Sequence, residues 1–403
     1  MRKTLVVVGY GMVGHRLVEE IRAGDTSGHW RVVVAAEEPR PAYDRVALSS
    51  YVAGTSVAEL TLPSRTATSQ DRPGPEVRLS TPAVHLDRAA RAVTLVDGTR
   101  LSYDALVLAT GSRPFVPPVP GRELPGCFTY RTVEDLDAIR EAARAGAPGV
   151  VIGGGLLGLE AAQALRTLGM RARVVELAPH LMPLQIDAGA GRVLAGLVAG
   201  LGVEAYCGRS LAAVLPDAEG RVRGVRLSDG SFVEARMVIF SAGVRPRDEL
   251  AEPAGLARGE RGGFLVDSHC RTADARVWAV GECAAVEGRC HGMAAPGYRM
   301  AEIVARQLLG APAEPFPGAD TSARLKLLGV EVAGFGDVHG SGEGVLSFVR
   351  VDPRAGTYAK LVLDADGRTL RGGVLAGDAR GYPGLRALLG HPLTSPPERL
   401  LAP

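Results

Sequence analysis

Two runs of uninterrupted apolar residues are the strongest pattern along this chain. Leu5 to Val8 and Gly149 to Ile152 show no alternation with polar residues, which is typical of parallel strands buried on both faces. Each run is followed at once by closely spaced glycines and then by an amphipathic stretch. The pattern predicts a strand, a glycine turn and a helix in both places, with the helices at Met12 to Arg22 and Leu157 to Leu168 and with Gly169 ending the second.

Each of these units continues into a second apolar strand with acidic residues at its end. Val32 to Ala36 precedes Glu37 and Glu38, and Ala172 to Val175 precedes Glu176. A strand, a helix and a returning strand make a βαβ unit, so the sequence predicts an internal repeat of two such units.

The repeat extends beyond the glycine turns. Short β-rich pieces with Asp-Gly turns follow each unit and predict two β-meanders, each leading into another apolar strand that ends in glycine. The predicted pieces are 76–79, 84–86 and 93–95 before Leu106 to Gly111, and 222–227 and 232–233 before Val238 to Gly243.

These elements predict an α/β protein with two Rossmann-like dinucleotide-binding domains and a small C-terminal α+β domain. A proline-rich linker at 312–317 separates the last domain from the rest. We expect an FAD-binding domain at residues 1–114 and 243–314, an NAD-binding domain at 115–242, and the small domain at 318–403. Within it, Ser322 to Val330 is expected to form one core strand whose Arg324 and Lys326 could face an acidic partner.

Composition narrows the possible partners. The formal net charge is only +2 over 403 residues, and no basic block occurs, which argues against nucleic-acid binding. The N-terminus contains neither a signal peptide nor a membrane helix, so we expect a cytoplasmic protein with no membrane partner. Five cysteines form no metal-binding or redox spacing, which favours reduced packing thiols and no metal site. The oligomeric state is left open.

The glycine spacing itself points to dinucleotides. Gly9 suits a tight turn, Gly11 lets a pyrophosphate approach the backbone, and Gly14 allows close packing of helix on strand. Gly153, Gly155 and Gly158 repeat this spacing. One such motif is weak evidence, whereas two with matching strands and terminal acids are strong evidence. A carboxylate at the strand end accepts hydrogen bonds from a ribose 2′-hydroxyl and repels the 2′-phosphate of NADP, so Glu176 favours NADH. Either Glu37 or Glu38 would serve the first ribose.

Several longer motifs resemble those of the pyridine nucleotide-disulfide oxidoreductase superfamily, and within it the flavin module of NADH-dependent nitrite reductase large subunits. The resemblance covers nearly the whole chain and implies a glutathione-reductase-like fold that holds FAD and NADH. The motifs are Glu37 to Ser49, Ala109-Thr-Gly-Ser-Arg-Pro114, Tyr130-Arg-Thr-Val-Glu-Asp-Leu136, Ser241-Ala-Gly-Val-Arg-Pro246, Val277-Trp-Ala-Val-Gly-Glu-Cys283 and Ala295-Pro-Gly-Tyr298.

The resemblance implies roles for individual residues. Arg45 and Arg131 would reach the FAD, although surface ion pairs are the alternative. Glu282 stands where most relatives carry an aspartate on the ribityl chain, Gly281 lets backbone approach the flavin phosphates, and the helix near Pro296 points amides at the flavin carbonyl. The remaining cofactor-binding residues that it implies are Met12, Ser50, Val84, Ala109, Thr110, Gly111, Leu156, Leu157 and Gly243.

Glu160 is the candidate catalytic residue, because its counterpart in the family lies beside the flavin. Ferredoxin-reductase-like relatives pair that acid with a lysine that ends a Leu-Ser-Lys segment, whereas this chain has Leu48-Ser49-Ser50. Without the cation, a buried Glu160 is expected to have a raised proton affinity.

The predicted function is hydride transfer from NADH to FAD and electron release to a separate iron-sulfur or haem acceptor of a nitrite or nitrate reductase system. Residues 37–62 contain no cysteine, which argues against disulfide reduction. The siroheme segment of nitrite reductases is not present in the sequence, so we expect no nitrite reduction by this chain alone. A reductase of an oxygenase system, an NADH oxidase and a non-catalytic NADH sensor are the alternatives.

Overall fold

The computed structural model describes residues 2–64, 74–320, 322–327 and 329–401. The chain forms two compact units. Unit 1 comprises Met1–Tyr51, Thr55–Arg113 and Val244–Ala319, and unit 2 comprises Val52–Gly54, Pro114–Gly243 and Asp320–Pro403. The C-terminal residues therefore share a unit with the middle of the chain.

Helices and strands are mixed in the first three quarters of the chain, and the last quarter is mainly β. Up to residue 240 the elements are β1 (Lys3–Val8), α1 (Met12–Gly24), β2 (Trp30–Ala35), α2 (Leu48–Val52), α3 (Val57–Leu60), β3 (Glu76–Arg78), β4 (Ala83–Asp87), β5 (Ala92–Leu95), β6 (Arg100–Ser102), β7 (Ala105–Leu108), β8 (Ser112–Pro114), β9 (Cys127–Thr129), α4 (Val133–Ala142), β10 (Pro148–Ile152), α5 (Leu156–Thr167), β11 (Arg171–Glu176), α6 (Ala188–Gly200), β12 (Glu204–Cys207), β13 (Leu211–Pro216), β14 (Val222–Leu227), β15 (Phe232–Glu234) and β16 (Met237–Phe240). After it they are β17 (Val244–Pro246), β18 (Phe264–Val266), β19 (Val277–Ala279), a 3₁₀ turn (Gly281–Cys283), β20 (Ala284–Val286), β21 (Arg289–Cys290), α7 (Ala294–Leu308), β22 (Ala323–Leu327), β23 (Val330–Gly336), β24 (Leu346–Asp352), β25 (Thr357–Leu363), β26 (Leu370–Ala376), α8 (Tyr382–Ala387) and α9 (Pro397–Leu400).

Unit 1 is built on a parallel sheet in the order β19-β7-β1-β2-β3. This strand order is that of one half of a Rossmann fold, and the apolar runs predicted from the sequence lie at the centre of the sheet. The prediction of a meander from residue 76 onward is wrong in one respect, since Glu76–Arg78 pairs with β2 as an edge strand. The meander consists of β4, β5 and β6 instead, because Arg100–Ser102 completes it.

Unit 2 repeats the arrangement with a parallel sheet in the order β12-β11-β10-β16-β9. The predicted second meander is present as the antiparallel strands β13, β14 and β15. The predicted α/β class with two Rossmann-like folds is therefore confirmed.

The C-terminal residues of unit 2 form an antiparallel sheet in the order β22-β23-β26-β25-β24, with a core of its own. The prediction of one strand from Ser322 to Val330 is wrong, because β22 ends at Leu327 and the chain turns at Gly329 into β23, its antiparallel neighbour. Arg324 is exposed and pairs with Glu331 at 3.0 Å, while the side chain of Lys326 lies outside the described part of the chain.

Two negative findings apply to the described residues. None of the helices described there combines the length and the apolar character needed to cross a membrane. The same residues contain no cluster of three or more His, Cys, Asp or Glu side chains placed to hold a metal ion.

Candidate dinucleotide-binding sites

The first glycine of each loop is required by the packing of the chain itself. Gly9 and Gly153 have φ values of +104° and +111°, which a residue with a side chain rarely adopts. A Cβ at either position would also overlap a backbone carbonyl of the neighbouring strand end, that of Ala109 or Ser241. Both loops therefore turn sharply at the carboxyl edge of a parallel sheet.

The third and second glycines of the loops differ in what surrounds them. A Cβ on Gly14 or Gly158 would overlap the carbonyl oxygen of the first glycine, so helix and strand touch there. A Cβ on Gly11 would meet nothing nearer than the Arg45 side chain at 3.9 Å, and one on Gly155 would meet no atom within 4 Å. Since the protein leaves space at both middle glycines, these positions fit the close approach of a pyrophosphate.

The helices that follow the glycine loops begin without a capping side chain. Helices α1 and α5 lack one, and α7 does as well, whereas α3, α4 and α6 are capped by Ser56, Thr132 and Asp187. The first turn of an uncapped helix presents backbone N–H groups to an anion. The first turns include four residues that were predicted to bind a cofactor, namely Met12 of α1, Leu156 and Leu157 of α5, and Pro296 of α7.

Glu176 supports the second loop directly. Its carboxylate is 9% exposed, and its two oxygens accept the backbone N–H groups of Gly154 at 2.6 Å and Ala178 at 2.7 Å. A carboxylate oxygen can accept more than one hydrogen bond, so Glu176 keeps the capacity to bind a ribose hydroxyl.

The acids of the first unit do not occupy the position of Glu176. The first glycine of each loop donates its N–H at 2.8 Å to the neighbouring strand, to Ala35 in unit 1 and to Val175 in unit 2. Ala36 therefore corresponds to Glu176, and β2 ends at Ala35, before either acid. The ends of β2 and β11 look alike in the sequence, because the one-residue offset between their acids becomes visible only when each strand is paired with its neighbour.

Glu37 and Glu38 have different surroundings in unit 1. Glu37 is more than half exposed and pairs with Arg247. Glu38 is three-quarters buried, accepts the Tyr43 hydroxyl at 2.8 Å and pairs with Arg45. Both carboxylates are thus paired with an arginine, and they differ in that Glu38 is the more buried and also accepts the Tyr43 hydroxyl.

Arg45 is held next to the first loop rather than spread on the surface. Its guanidinium lies 5.0 Å from the centre of the Tyr43 ring and pairs with Glu38. Burial alone would lower the pKa of Arg45, but Tyr43 and Glu38 raise it overall, so the charge is retained beside Gly11. Arg131, in unit 2, is half-buried and directly precedes the start of α4.

The predicted flavin segment of unit 1 is tightly packed. Glu282 accepts the hydroxyl of Ser112 at 2.8 Å, a contact that the sequence analysis did not predict although Ser112 lies within a quoted motif. Gly281 has φ +79°, and its N–H donates to the Met300 sulfur at 3.3 Å. Nearby, the Thr110 hydroxyl donates to the Arg247 carbonyl at 2.5 Å, next to the predicted positions Ala109 and Gly111.

Glu160 lies on α5 in unit 2, half-buried, and burial raises its pKa to about 7. The raised proton affinity expected for this residue is therefore present within its own unit. Tyr130 adds to this environment, since its ring is 4% exposed and its hydroxyl has no hydrogen-bond partner among the described residues. The charge of Glu160 raises the pKa of Tyr130 further after burial. Tyr130 was not singled out in the sequence analysis, and its only signal there was its place in a motif.

Three other positions predicted to bind a cofactor have different local surroundings. The Ser50 hydroxyl donates to the Ala47 carbonyl at 2.6 Å, within its own turn. Val84 is half exposed and occupies a bulge between paired residues of β4 and β5, which leaves its backbone outside the ladder. Gly243 has φ +101° and open space around its Cβ position. These roles stay predictions.

The family model of pyridine nucleotide-disulphide oxidoreductases matches residues 3–303. The chain belongs to this family. Membership confirms the predicted class, an FAD-dependent NAD(P)H oxidoreductase, with FAD and NAD(H) as its cofactors.

Named relatives of the family lie in two groups. The nitrite reductase [NAD(P)H] large subunit of Klebsiella oxytoca is 46% identical, over 100% of this chain and 42% of that protein. The biphenyl dioxygenase system ferredoxin–NAD(+) reductase component of Paraburkholderia xenovorans is 32% identical, over 91% of this chain and 88% of that protein. The chain thus spans less than half the length of the nitrite reductase subunit.

A solved structure supports the same fold. The ferredoxin reductase for the CYP199A2 system from Rhodopseudomonas palustris superposes with a TM-score of 0.87 at 26% identity, over 100% of this chain and 98% of the other.

The cysteines of this family member are free thiols with raised pKa values. Burial raises the pKa of Cys270 to about 12 and that of Cys127 and Cys290 to about 11. Cys283 is fully buried and donates to the carbonyls of Leu108 and Val280 at 3.4 and 3.3 Å. Since the thiolate is the reactive form, none of these four sites suits disulfide exchange.

Proposed function

We propose that this chain takes a hydride from NADH and passes the electrons through FAD to a separate iron-sulfur or haem acceptor of a nitrite or nitrate reductase system. The observation that carries the proposal is the pair of loops in which the middle glycine, Gly11 or Gly155, borders open space at an uncapped helix. Each of the two units thereby offers one dinucleotide site.

In this proposal unit 1 holds FAD and unit 2 holds NADH. The N–H groups at the start of α1 bind the flavin pyrophosphate, Arg45 adds positive charge there, and Glu282 accepts a ribityl hydroxyl while Ser112 fixes its carboxylate. The first turn of α7 directs amides at the flavin carbonyl. Bound FAD supplies the redox chemistry, taking two electrons from NADH and releasing them to the acceptor.

The choice of NADH over NADPH rests on Glu176. Both of its oxygens are fixed by backbone N–H groups, so the carboxylate cannot swing away from a bound ribose. A 2′-phosphate would be brought against this buried negative charge, which is unfavourable.

The acceptor class is inferred from the relatives and from the thiols. A nitrite reductase [NAD(P)H] large subunit and a ferredoxin–NAD(+) reductase component are both similar to this chain, and the second name gives ferredoxin as a redox partner of NAD(+). The five free thiols also suit the reducing cytoplasm, where we place the protein. The likeness to ferredoxin reductases keeps an oxygenase system as the second candidate.

The test uses the full chain, purified and assayed with NADH. We expect a yellow protein with about one FAD per chain that reduces ferricyanide and a two-iron ferredoxin, with little oxygen uptake and no reduction of glutathione disulfide. Colourless protein that fails to gain FAD would falsify the flavin assignment. Rapid oxygen uptake would support an NADH oxidase instead. Efficient reduction of glutathione disulfide would contradict the proposed iron-sulfur or haem acceptor.

A further inference from the structure

The residues from Leu177 to Asp187, here called the clamp segment, connect the second glycine loop to the C-terminal sheet within unit 2. We propose that Asp187, Tyr358 and Lys360 are positioning residues for NADH, which act through the clamp segment on the loop. The inference rests on the proposed function in one respect, that residues 153–158 form the NADH site.

The loop end of this connection is the peptide of Gly154. Its N–H donates to Glu176 at 2.6 Å, and its carbonyl accepts the N–H of Met182 at 2.9 Å. Gly154 precedes the open glycine, Gly155, and the two peptide groups that meet at Gly154 are fixed by Glu176 at the end of β11 and by Met182 after it. The orientation of the loop N–H groups therefore depends on where Met182 lies.

Met182 is held in an unfavourable conformation. Its φ is +52°, and its side chain is fully buried. A non-glycine residue in this region costs about 1–3 kcal/mol and persists only where its surroundings enforce it. Here Leu181 and Ile186 are also fully buried, and the N–H groups of Gln185 and Ile186 donate to the Met182 carbonyl at 3.0 and 3.1 Å. The turn is thus closed at residues 185–186, next to Asp187.

Asp187 fixes the far end of the clamp segment to the C-terminal sheet. One of its oxygens caps α6 by accepting the Ala190 N–H at 3.0 Å. The other accepts the Tyr358 hydroxyl at 2.7 Å and lies 3.3 Å from the Lys360 ammonium. Lys360 is 6% exposed and the Asp187 side chain is 16% exposed, so this ion pair is largely buried, and both of its partners are also hydrogen-bonded to other groups.

The ammonium of Lys360 has no capacity left. Besides Asp187 it donates to the carbonyls of Val338 and His339 at 3.1 and 3.2 Å, so all three of its protons are used. Lysine is rare in this chain, which has only Lys3, Lys326 and Lys360. A compact ammonium that points at three oxygens is a geometry that the planar guanidinium of arginine cannot reproduce in full.

Two glycines keep the clamp segment against the sheet. A Cβ on Gly189, in the first turn of α6, would lie 2.5 Å from the Tyr358 ring. A Cβ on Gly334, in β23, would overlap the carbonyl oxygen of Gln185. Neither glycine has a positive φ, so the close approach alone requires them.

Loss of the anchor should act on NADH and leave FAD unchanged. Without Lys360 the carboxylate of Asp187 is buried with one strong partner fewer, and the clamp segment can relax away from the sheet. Met182 can then return to an ordinary conformation, which removes its bond to Gly154. The NADH loop becomes less ordered, and ordering it on binding costs affinity.

The experiment compares Lys360→Met and Tyr358→Phe with a control on the same sheet, Arg371→Met. Arg371 forms an exposed ion pair with Asp364 at 3.2 Å, and among the described residues it makes no hydrogen bond to the clamp segment. NAD⁺ affinity is measured by calorimetry on the full FAD-loaded chain, together with KM and kcat for NADH with ferricyanide and the FAD content. We expect Lys360→Met to raise both Kd and KM about tenfold, in the range seen for supporting residues of binding sites.

In the same comparison kcat and FAD content should stay within about twofold of the parent, and Lys360→Arg should recover part of the affinity. Gly189→Ala, which displaces the Tyr358 ring without removing a charge, should weaken NAD⁺ in the same direction. If Lys360→Met does not fold, Tyr358→Phe and Gly189→Ala decide the outcome.

Three results separate the hypotheses. A parent protein that binds no NAD⁺ would overturn the proposed function itself. A parent that binds NAD⁺ while the Lys360, Tyr358 and Gly189 variants match the Arg371 control would overturn only the positioning role. A fall in kcat and in FAD content as large as the rise in KM would show a general structural role. This result would also overturn the positioning role.

Discussion

The proton on Glu160 gives the sharpest prediction from the structure. The side chain is half-buried on α5, and it lies close enough to Tyr130 for its charge to raise the pKa of that hydroxyl. Replacement by glutamine keeps the size and the capacity to hydrogen-bond but cannot carry a charge. Glu160→Gln therefore reports what the ionised form costs the folded protein.

The magnitude follows from the pKa, which burial raises from 4.5 to about 7. A tenfold change in proton affinity equals about 1.4 kcal/mol, so full ionisation of Glu160 costs the folded state about 3 kcal/mol. Because the folded pKa is the higher one, the cost is absent below pH 4.5, grows as the pH rises through the window from 4.5 to about 7, and is constant above it. Parent stability should fall relative to that of Glu160→Gln across this window.

Urea unfolding from pH 5 to pH 8 measures the effect. The stability advantage of Glu160→Gln over the parent should grow by about 2.5 kcal/mol between these values. Glu141→Gln on the exposed face of α4 is the control and should show no such growth. An infrared band of a protonated carboxyl near neutral pH, absent from the Glu160 variant, would give independent support. An advantage that does not change with pH would refute the reasoning, because it would mean that Glu160 is ionised throughout or exposed.

Three further predictions concern the loops, the acid and the thiols. Gly155→Ala should keep the thermal midpoint of unfolding within about 2 °C of the parent but weaken NAD⁺ binding. Gly158→Ala should lower this midpoint by several degrees, because only the Cβ of residue 158 would overlap backbone atoms. Equal losses of stability in the two variants would contradict this. Glu176→Arg should narrow or reverse the preference for NADH in kcat/KM, and a parent with equal efficiency for NADPH would count against the assignment. Alkylation at pH 8 followed by mass spectrometry should find Cys270 unmodified in the native state and modified in urea, because its pKa is about 12; rapid native labelling would disprove the burial.

The sequence predicted well those features that local patterns encode. Apolar runs followed by spaced glycines predicted both parallel sheets and the helices after them, because a buried parallel strand and a phosphate-binding turn each need particular residues in consecutive positions. The raised proton affinity of Glu160 was also predicted from the sequence, since a buried carboxyl resists ionisation. Two short segments were assigned to the wrong element, namely Glu76–Arg78, which pairs with β2, and the turn at Gly329, which was predicted inside a strand.

What only the tertiary structure decided are relations between residues far apart in sequence. The offset that aligns Ala36 with Glu176 depends on strand register, which the sequence alone does not report. The buried contact of Asp187 with Lys360 joins residues 173 positions apart, and no local pattern links an N-cap to a lysine of a later strand. The physical reason is that propensity and periodicity act over a few residues, whereas the burial and pairing of charges are properties of the packed chain.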